Sequence, residues 1–304
     1  MISSYILGID MGGTATRSLL AGLDHSSQKL GLGGPGNPYR VGVDEACRSL
    51  HTALEACIGG QTSLNSIEAC CIGIAGRSHP QAEALVKRAF NGLQKPRDLL
   101  IRNDLDIALV AGLGASEGVL VLAGTGSGVV ARGPRGEIRK GGYGPLPGDP
   151  GGGETLSRVA LRAACMAADG VGPETSLAAS LPQVLGVTEV RELLRALVEE
   201  GGGAARFMPA VCQAAEDGDR IAIEILSQGG RELADLVHTA VAEADLQGPG
   251  IQVVTAGGIL GNARILREAL VAALAEKGDR YQFGSHVDEP LWGAVAIARE
   301  AALA

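Results

Sequence analysis

Three short stretches combine residue types that can handle phosphate. In Asp10-Met11-Gly12-Gly13-Thr14-Ala15-Thr16 a carboxylate precedes two glycines and two hydroxyls. Glycines let a backbone turn sharply and approach a polyanion closely. The N–H groups of Gly12 and Gly13, with the Thr14 and Thr16 hydroxyls, can donate to phosphate oxygens. Asp10, at the end of an apolar run, can hold Mg²⁺ directly or through water. Gly124-Thr125-Gly126-Ser127 repeats the same logic as a second phosphate clasp. In the third stretch, Ile251–Thr255 runs into Ala256-Gly257-Gly258, small residues that leave a flat surface for an adenine ring or a ribose. Each stretch taken singly also reads as an ordinary hairpin or a tight packing site; two glycine turns at the same place in two units make coincidence a poorer account.

These stretches need strands to hold them. Tyr5–Asp10 and Thr16–Leu23 read as strands joined by a glycine turn, a hairpin, with a third short strand near Gln28–Leu32. Apolar or small residues at Val43, Ala46, Leu50, Ala53, Leu54 and Cys57 have helical spacing and predict a helix over Val43–Ile58. Strand Ile67–Ala75, helix Gln81–Asn91, strand Leu99–Arg102 and helix Leu105–Leu113 complete a first unit. The order then restarts. Strands Gly118–Ala123 and Gly128–Arg132 flank the second glycine turn, and a third lies near Glu137–Lys140. A glycine-rich loop from Gly141 to Gly153, a helical region to Leu246, the strand Ile251–Thr255 and helices over Ala263–Lys277 and Pro290–Leu303 follow. The duplication predicts an α/β protein of two domains, residues 1–114 with 290–304, and residues 115–289 with a helical insertion.

Length and composition narrow the function classes. The 304 residues suit about two domains. A net charge of -8 argues against nucleic acid, which demands clustered Lys and Arg, but not against a nucleotide held by backbone N–H groups and a metal. No apolar stretch approaches the ~20 residues that span a bilayer; the most apolar region, Val119 to Ala131, is broken by Gly124, Gly126 and Gly128. The six cysteines form no C-x-x-C pair, and Met1-Ile2-Ser3-Ser4 lacks the basic region of a signal peptide, so reduced thiols in a cytoplasmic protein are expected. The five histidines are scattered and do not form a zinc cluster.

Two motifs match by letter only. Gly31-x-Gly33-x-x-Gly36 has the dinucleotide spacing but leads into Pro38 instead of a helix. Gly114-Ala115-Ser116-Glu117-Gly118 has the spacing of a hydrolase nucleophile elbow but precedes a strand where it should follow one. A G-x-x-x-x-G-K-[ST] loop does not occur.

In order and spacing, Asp10–Thr16, Gly124–Ser127 and Val254–Gly258 resemble the phosphate-1, phosphate-2 and adenosine motifs of the sugar kinase/Hsp70/actin superfamily. Within it the chain looks most like the N-acetylglucosamine kinase branch, the BadF/BadG/BcrA/BcrD family, over essentially its whole length. The resemblance implies two ribonuclease H-like (actin-like ATPase) domains, with ATP and sugar in the cleft between them, Mg²⁺ as cofactor, an amino sugar as substrate and a homodimer. N-acetylglucosamine is the first expectation; glucosamine and N-acetylmuramic acid are alternatives.

The resemblance also assigns site residues. The Asp that follows the Leu99–Arg102 strand would be the catalytic base, which is Asp104 here. A carboxylate that takes the hydroxyl proton typically adds ~10²–10⁴-fold in rate. Asp106 falls in the first turn of the helix, where it favours the helix dipole. Asp104 could equally be a helix N-cap. Gly36-Asn37-Pro38-Tyr39 resembles the loop whose Asn contacts sugar hydroxyls, and Gly141–Asp149 resembles a second sugar loop. There Asp149 would accept from a sugar hydroxyl and the Tyr143–Gly144 backbone would line the pocket. Pro150-Gly151-Gly152 departs from the acidic or amide residue and Gly-Ser that usually follow that Asp. His79, near a strand end, reads as a surface histidine. Two other activities occur near this family. An ATPase activator of a radical acyl-CoA dehydratase would place cysteines in interlobe loops, whereas these fall in predicted helices and a strand. A sugar-sensing regulator would carry a DNA-binding helix-turn-helix and a zinc-type cysteine cluster.

Overall fold

The run Tyr5-Ile6-Leu7-Gly8-Ile9 is apolar at successive positions, the pattern of a strand buried on both faces. In the computed structural model, which describes residues 4–24, 28–59, 66–144, 146–200 and 203–304, it forms the middle of β1 (Ser4–Met11). Strands β2 (Thr16–Gly22) and β3 (Gln28–Gly33) follow. After the short helix α1 (Pro38–Val41) and α2 (Val43–Ile58) come β4 (Ser66–Ile74), α3 (Ala82–Ala89), β5 (Asp98–Asn103) and α4 (Asp104–Leu113). The strand order is β3-β2-β1-β4-β5. The first three strands pair antiparallel, and β1, β4 and β5 run parallel.

Side-chain alternation divides β1 between two cores. Leu7, Ile9 and Met11 pack with Leu50, Leu54, Leu85 and Val86 on the α2 and α3 face. Ile6 packs on the opposite face with Leu19 of β2, Ile107 of α4, and Leu291 and Val295 of the C-terminal helix. That helix and α4 approach so closely that a Cβ at Gly293 would stand 1.8 Å from the Ile107 carbonyl oxygen.

The second unit repeats the plan with β6 (Gly118–Ala123), β7 (Ser127–Gly133) and β8 (Gly136–Gly141). Helices α5 (Gly153–Ala168), α6 (Leu177–Gln183), α7 (Leu193–Glu200), α8 (Met208–Glu216) and α9 (Arg220–Glu243) come next. The chain closes with β9 (Ile251–Ala256), α10 (Gly258–Asn262), α11 (Arg264–Glu276), β10 (Tyr281–Val287) and α12 (Leu291–Leu303). The second sheet has the order β10-β9-β6-β7-β8, with β6 antiparallel to β7 and parallel to β9. The chain divides into Met1–Ser116 with Val287–Ala304, and Glu117–His286.

Three elements were not expected from sequence. In the strand β10 only Tyr281 and Phe283 alternate toward the core before Gly284, Ser285 and His286 break the pattern, too short a run to read as a strand. The helices α1 and α10 are too short to show a period. The three consecutive glycines Gly201–Gly203 read in sequence as a break between helices, and residues 201–202 lie outside the described residues. None of the helices among the described residues is long and apolar enough to cross a membrane.

Candidate active site

In the first unit the parallel strands end in register. Met11 pairs with Ile74, and Ile74 with Asn103, so the carboxyl ends of β1, β4 and β5 form one edge. Ligands of open α/β sheets bind outside such an edge. Asp10 sits one residue before the end of β1, on the face covered by α4 and α12. Asp104 opens α4 at the end of β5. Burial first, then the negative charge of Asp104, pushes the Asp10 carboxyl up to about 7; Glu289 adds to the rise and Arg17 opposes it. A carboxylate raised mainly by burial, with Asp104 adding to the rise, is one that a divalent cation would return to its ionised form. The residues present therefore fit a cation at Asp10.

The β1–β2 turn presents Thr14 to solvent, with Gly12 and Gly13 partly exposed. The N–H of Gly12 donates to the Ala15 carbonyl at 2.9 Å, and its carbonyl accepts from Gly36 N–H at 2.9 Å. Gly12 thus closes the turn instead of offering its N–H outward. The hydroxyl of Thr16 was expected to meet phosphate, but Thr16 is fully buried. The cause is alternation: Arg17 is the cross-strand partner of Asp10, so Thr16, paired with Met11, points to the other face. Gly36 covers it there, and its Oγ1 has no hydrogen-bond partner.

Asp104 is not the N-cap of α4. Asn103 takes that role: its Oδ1 accepts from Leu105 N at 3.0 Å, while Asp106 Oδ2 accepts from Asn103 N at 3.0 Å, a capping box. Asp106 is thereby tied into the helix end, and Asp104 is half-buried beside Asp10. Asn37 caps α1, its Oδ1 accepting from Tyr39 N at 3.0 Å, with Pro38 in the first turn where it needs no donor. The same oxygen would stand 2.7 Å from a Cβ at Gly76, just beyond β4, so Asn37 lies near that edge. The Tyr39 ring meets the His79 ring edge-on at 4.8 Å, and the Tyr39 hydroxyl lies 3.4 Å from Ser78 Oγ.

In the second unit Gly124, Thr125 and Gly126 form a partly exposed turn between β6 and β7. The first N–H groups of α5, from Gly153 and Glu154, donate to the Gly124 and Thr125 carbonyls, each at 2.9 Å. These bonds pin the first turn of α5 to the glycine turn. Gly257 holds φ at 91° and abuts the same turn, since a Cβ there would lie 2.5 Å from the Ala123 carbonyl oxygen and 3.0 Å from Gly124 N. The end of the adenosine-type strand and the second glycine turn are thus one surface, with Gly258 exposed beside them.

Two expected ligand groups have other duties here. Asp149 is 8% exposed. Its Oδ1 accepts from Gly144 N at 2.8 Å and its Oδ2 from Ser127 N at 3.4 Å. The carboxylate expected to meet a sugar hydroxyl is turned inward and ties the Gly141–Asp149 loop to the glycine turn. Ser127, 5% exposed, donates its hydroxyl to the Pro150 carbonyl instead of to phosphate. Pro150, the departure noted in sequence, supplies this contact through its carbonyl, which any residue has. Tyr143 stays 72% exposed and Gly144 has φ of 89°. Sequence reasoning missed Arg17, whose guanidinium bonds Glu289 at 2.9 and 2.8 Å beside Asp10. The one-for-one pairing of a hairpin was a signal for Arg17; Glu289, 272 residues on, had none.

Two halves built on the same strand order, each with a strand–glycine turn–strand element, give the chain the two-domain α/β fold of the actin-like ATPases. The chain belongs to the BadF/BadG/BcrA/BcrD ATPase family, whose model matches residues 7–298. It is 29% identical over 301 residues to the N-acetylmuramic acid/N-acetylglucosamine kinase of Clostridium acetobutylicum, covering 97% of this chain and 98% of that one. It is 27% identical to the N-acetyl-D-glucosamine kinase of Dictyostelium discoideum, covering 98% of each. A solved structure from Chromobacterium violaceum superposes with a TM-score of 0.75 at 24% identity, covering 97% of this chain and 98% of that one. The ROK family glucokinase of Streptomyces griseus, solved with glucose and AMPPNP, gives 0.61 at 19%, with 97% and 99% covered.

Proposed function

We propose that this protein transfers the γ-phosphoryl group of Mg·ATP to a hydroxyl of an amino sugar, with N-acetylglucosamine and its O6 as the first choice. The observation that carries the reading is the placement of Asp104 beside Asp10 at the carboxyl edge of the first sheet. Relatives that align over nearly the whole chain and are named for kinases of this sugar support it.

The residues divide the work. Asp10 would hold Mg²⁺, which would supply neutralisation of phosphate charge. The exposed turn at Gly13 and Thr14 donates to phosphate oxygens. Asp104 accepts the proton of the sugar hydroxyl as its oxygen bonds to the γ-phosphorus and the bond to the β-phosphate oxygen breaks, releasing ADP. Asn37 uses its amide to bind neighbouring sugar hydroxyls. In the second unit the Gly124–Gly126 turn and the Gly257–Gly258 surface form one candidate nucleotide-binding surface. We further infer a homodimer that works in the cytoplasm. Four cysteines, Cys47, Cys57, Cys70 and Cys71, are buried, and burial pushes the Cys71 thiol up to about 12. Such thiols resist becoming the thiolates that an iron–sulfur cluster takes.

A coupled ADP-release assay with N-acetylglucosamine, glucosamine, N-acetylmuramic acid, glucose and no sugar tests the reading. Strong stimulation by one amino sugar is expected. Equal turnover in every well, the blank included, would replace it with an ATPase switch. Asp104→Asn should keep ATP binding and lose about 10²–10⁴-fold in turnover; near-normal turnover would place the base elsewhere.

A further inference from the structure

Arg17 and Glu289 form an ion pair in which one guanidinium nitrogen donates to both carboxylate oxygens, at 2.9 and 2.8 Å. Their side chains are 41% and 48% exposed, and a pair this exposed contributes little to stability. Its location is more telling. Arg17 is the direct cross-strand partner of Asp10, and the two side chains leave the sheet on the same face. Cross-strand partners are close enough for a guanidinium to reach a carboxylate and bind it bidentately. An arginine placed there is an internal rival for whatever cation Asp10 is to hold. Glu289, in the short segment between β10 and α12, takes up that guanidinium.

We infer that Glu289 is a positioning residue for the metal site: by engaging the Arg17 guanidinium, it keeps that cation from occupying the Asp10 carboxylate and leaves Asp10 to the metal. The inference rests on the reading that Asp10 holds Mg²⁺. It gives the ion pair a purpose that neither stability nor direct contact with substrate supplies. It also fixes a definite order of effects. Removing Glu289 frees Arg17 to move onto Asp10 and weakens metal binding. Removing Arg17 abolishes the rival, so Glu289 is no longer needed.

The test is calorimetric binding of ADP in Mn²⁺ and, separately, in EDTA. It compares the native protein with Asp10→Asn, Glu289→Gln, Arg17→Gln and the Arg17→Gln/Glu289→Gln pair, with thermal melts alongside. In the native protein Mn²⁺ should tighten ADP binding, and Asp10→Asn should abolish that gain. Glu289→Gln should weaken binding in Mn²⁺ by about 3- to 10-fold and leave binding in EDTA unchanged, and the double variant should recover the native Mn²⁺ response. Equal weakening in Mn²⁺ and EDTA, or a double variant as weak as Glu289→Gln, would overturn the inference. If Glu289→Gln does not fold, Arg17→Gln decides alone: it should bind Mn·ADP at least as tightly as the native protein, and weaker binding counts against the proposal. Native protein and Asp10→Asn responding alike to Mn²⁺ would show that the reading of Asp10 itself had failed.

Discussion

Gly257 stands against Ala123 so closely that a Cβ on it would lie 2.5 Å from the Ala123 carbonyl oxygen. Its φ of 91° and ψ of 148° fall where essentially only glycine is comfortable, and a side chain there costs roughly 1–3 kcal/mol before any clash. Because the clashing atom belongs to the backbone at the mouth of the Gly124–Gly126 turn, relief must come by moving that turn. Gly257→Ala is therefore expected to weaken binding of an ATP analogue by at least about tenfold, at about 1.4 kcal/mol per decade, and to lower the melting temperature. An analogue bound with native affinity would separate the two elements as functional parts.

Burial, more than any other cause, raises the Asp10 carboxyl from its ordinary 3.8 to about 7 in the fold. The folded state therefore binds more protons than the unfolded chain between those values, and this group lowers stability as pH rises through that window. The full penalty above pH 7 is on the order of 4 kcal/mol. Asp10→Asn, which removes the charge and keeps the shape, should raise the melting temperature of the nucleotide-free protein at pH 8 and leave it nearly unchanged at pH 4, while losing activity. Melts of both proteins across that range check it. A stabilisation independent of pH would mean that the buried charge is not its source.

Thr14 and Thr16 lie two residues apart in one turn and have opposite fates. Thr14 is exposed, and Thr16 is fully buried with an unpartnered hydroxyl. Thr14→Val should raise the KM for ATP several-fold. Thr16→Val replaces an unsatisfied buried hydroxyl by a methyl of similar shape and should hold or raise stability, by up to about 1 kcal/mol, with little change in that KM. Kinetics and melts of the two variants decide the matter, and a large KM effect from Thr16→Val would return its hydroxyl to the phosphate site.

Most of the fold was legible because it is written in short-range pattern. The apolar runs of β1, β4 and β6 and the helical spacing of α2 survive single-residue reading, and α2 occupies the expected Val43–Ile58. What escaped were signals that depend on the third dimension. In the edge strand β10 the alternation of Tyr281 and Phe283 toward the core ends at Gly284, Ser285 and His286, too short a period to read. The inward turn of Asp149 depends on Ser127 and Gly144 meeting around it, and a carboxylate in a glycine-rich loop looks the same in sequence whether it faces solvent or backbone. Thr16 could have been excluded from phosphate contact by sequence, because β-alternation from Leu20 and Ser18 already places it on the α2 side.

Asp149 and Asp104 are both acids near proposed sugar-binding parts, and their variants should behave differently. Asp149 Oδ1 and Oδ2 accept from the backbone of Gly144 and Ser127, one on the Gly141–Asp149 loop and one on the second glycine turn. Asp149→Asn keeps one acceptor oxygen but sets an amide N–H₂ against the other backbone N–H, leaving a buried donor unpaired at a cost of about 1–3 kcal/mol. Both parts lose their tie, so KM should rise for sugar and for ATP together, with a lower melting temperature. Asp104→Asn, by contrast, should cut kcat and leave melting nearly unchanged. Steady-state kinetics with each substrate varied in turn, plus a melt, distinguishes them. A rise in sugar KM alone, with native melting, would make Asp149 a direct sugar contact and not the tie that the two hydrogen bonds describe.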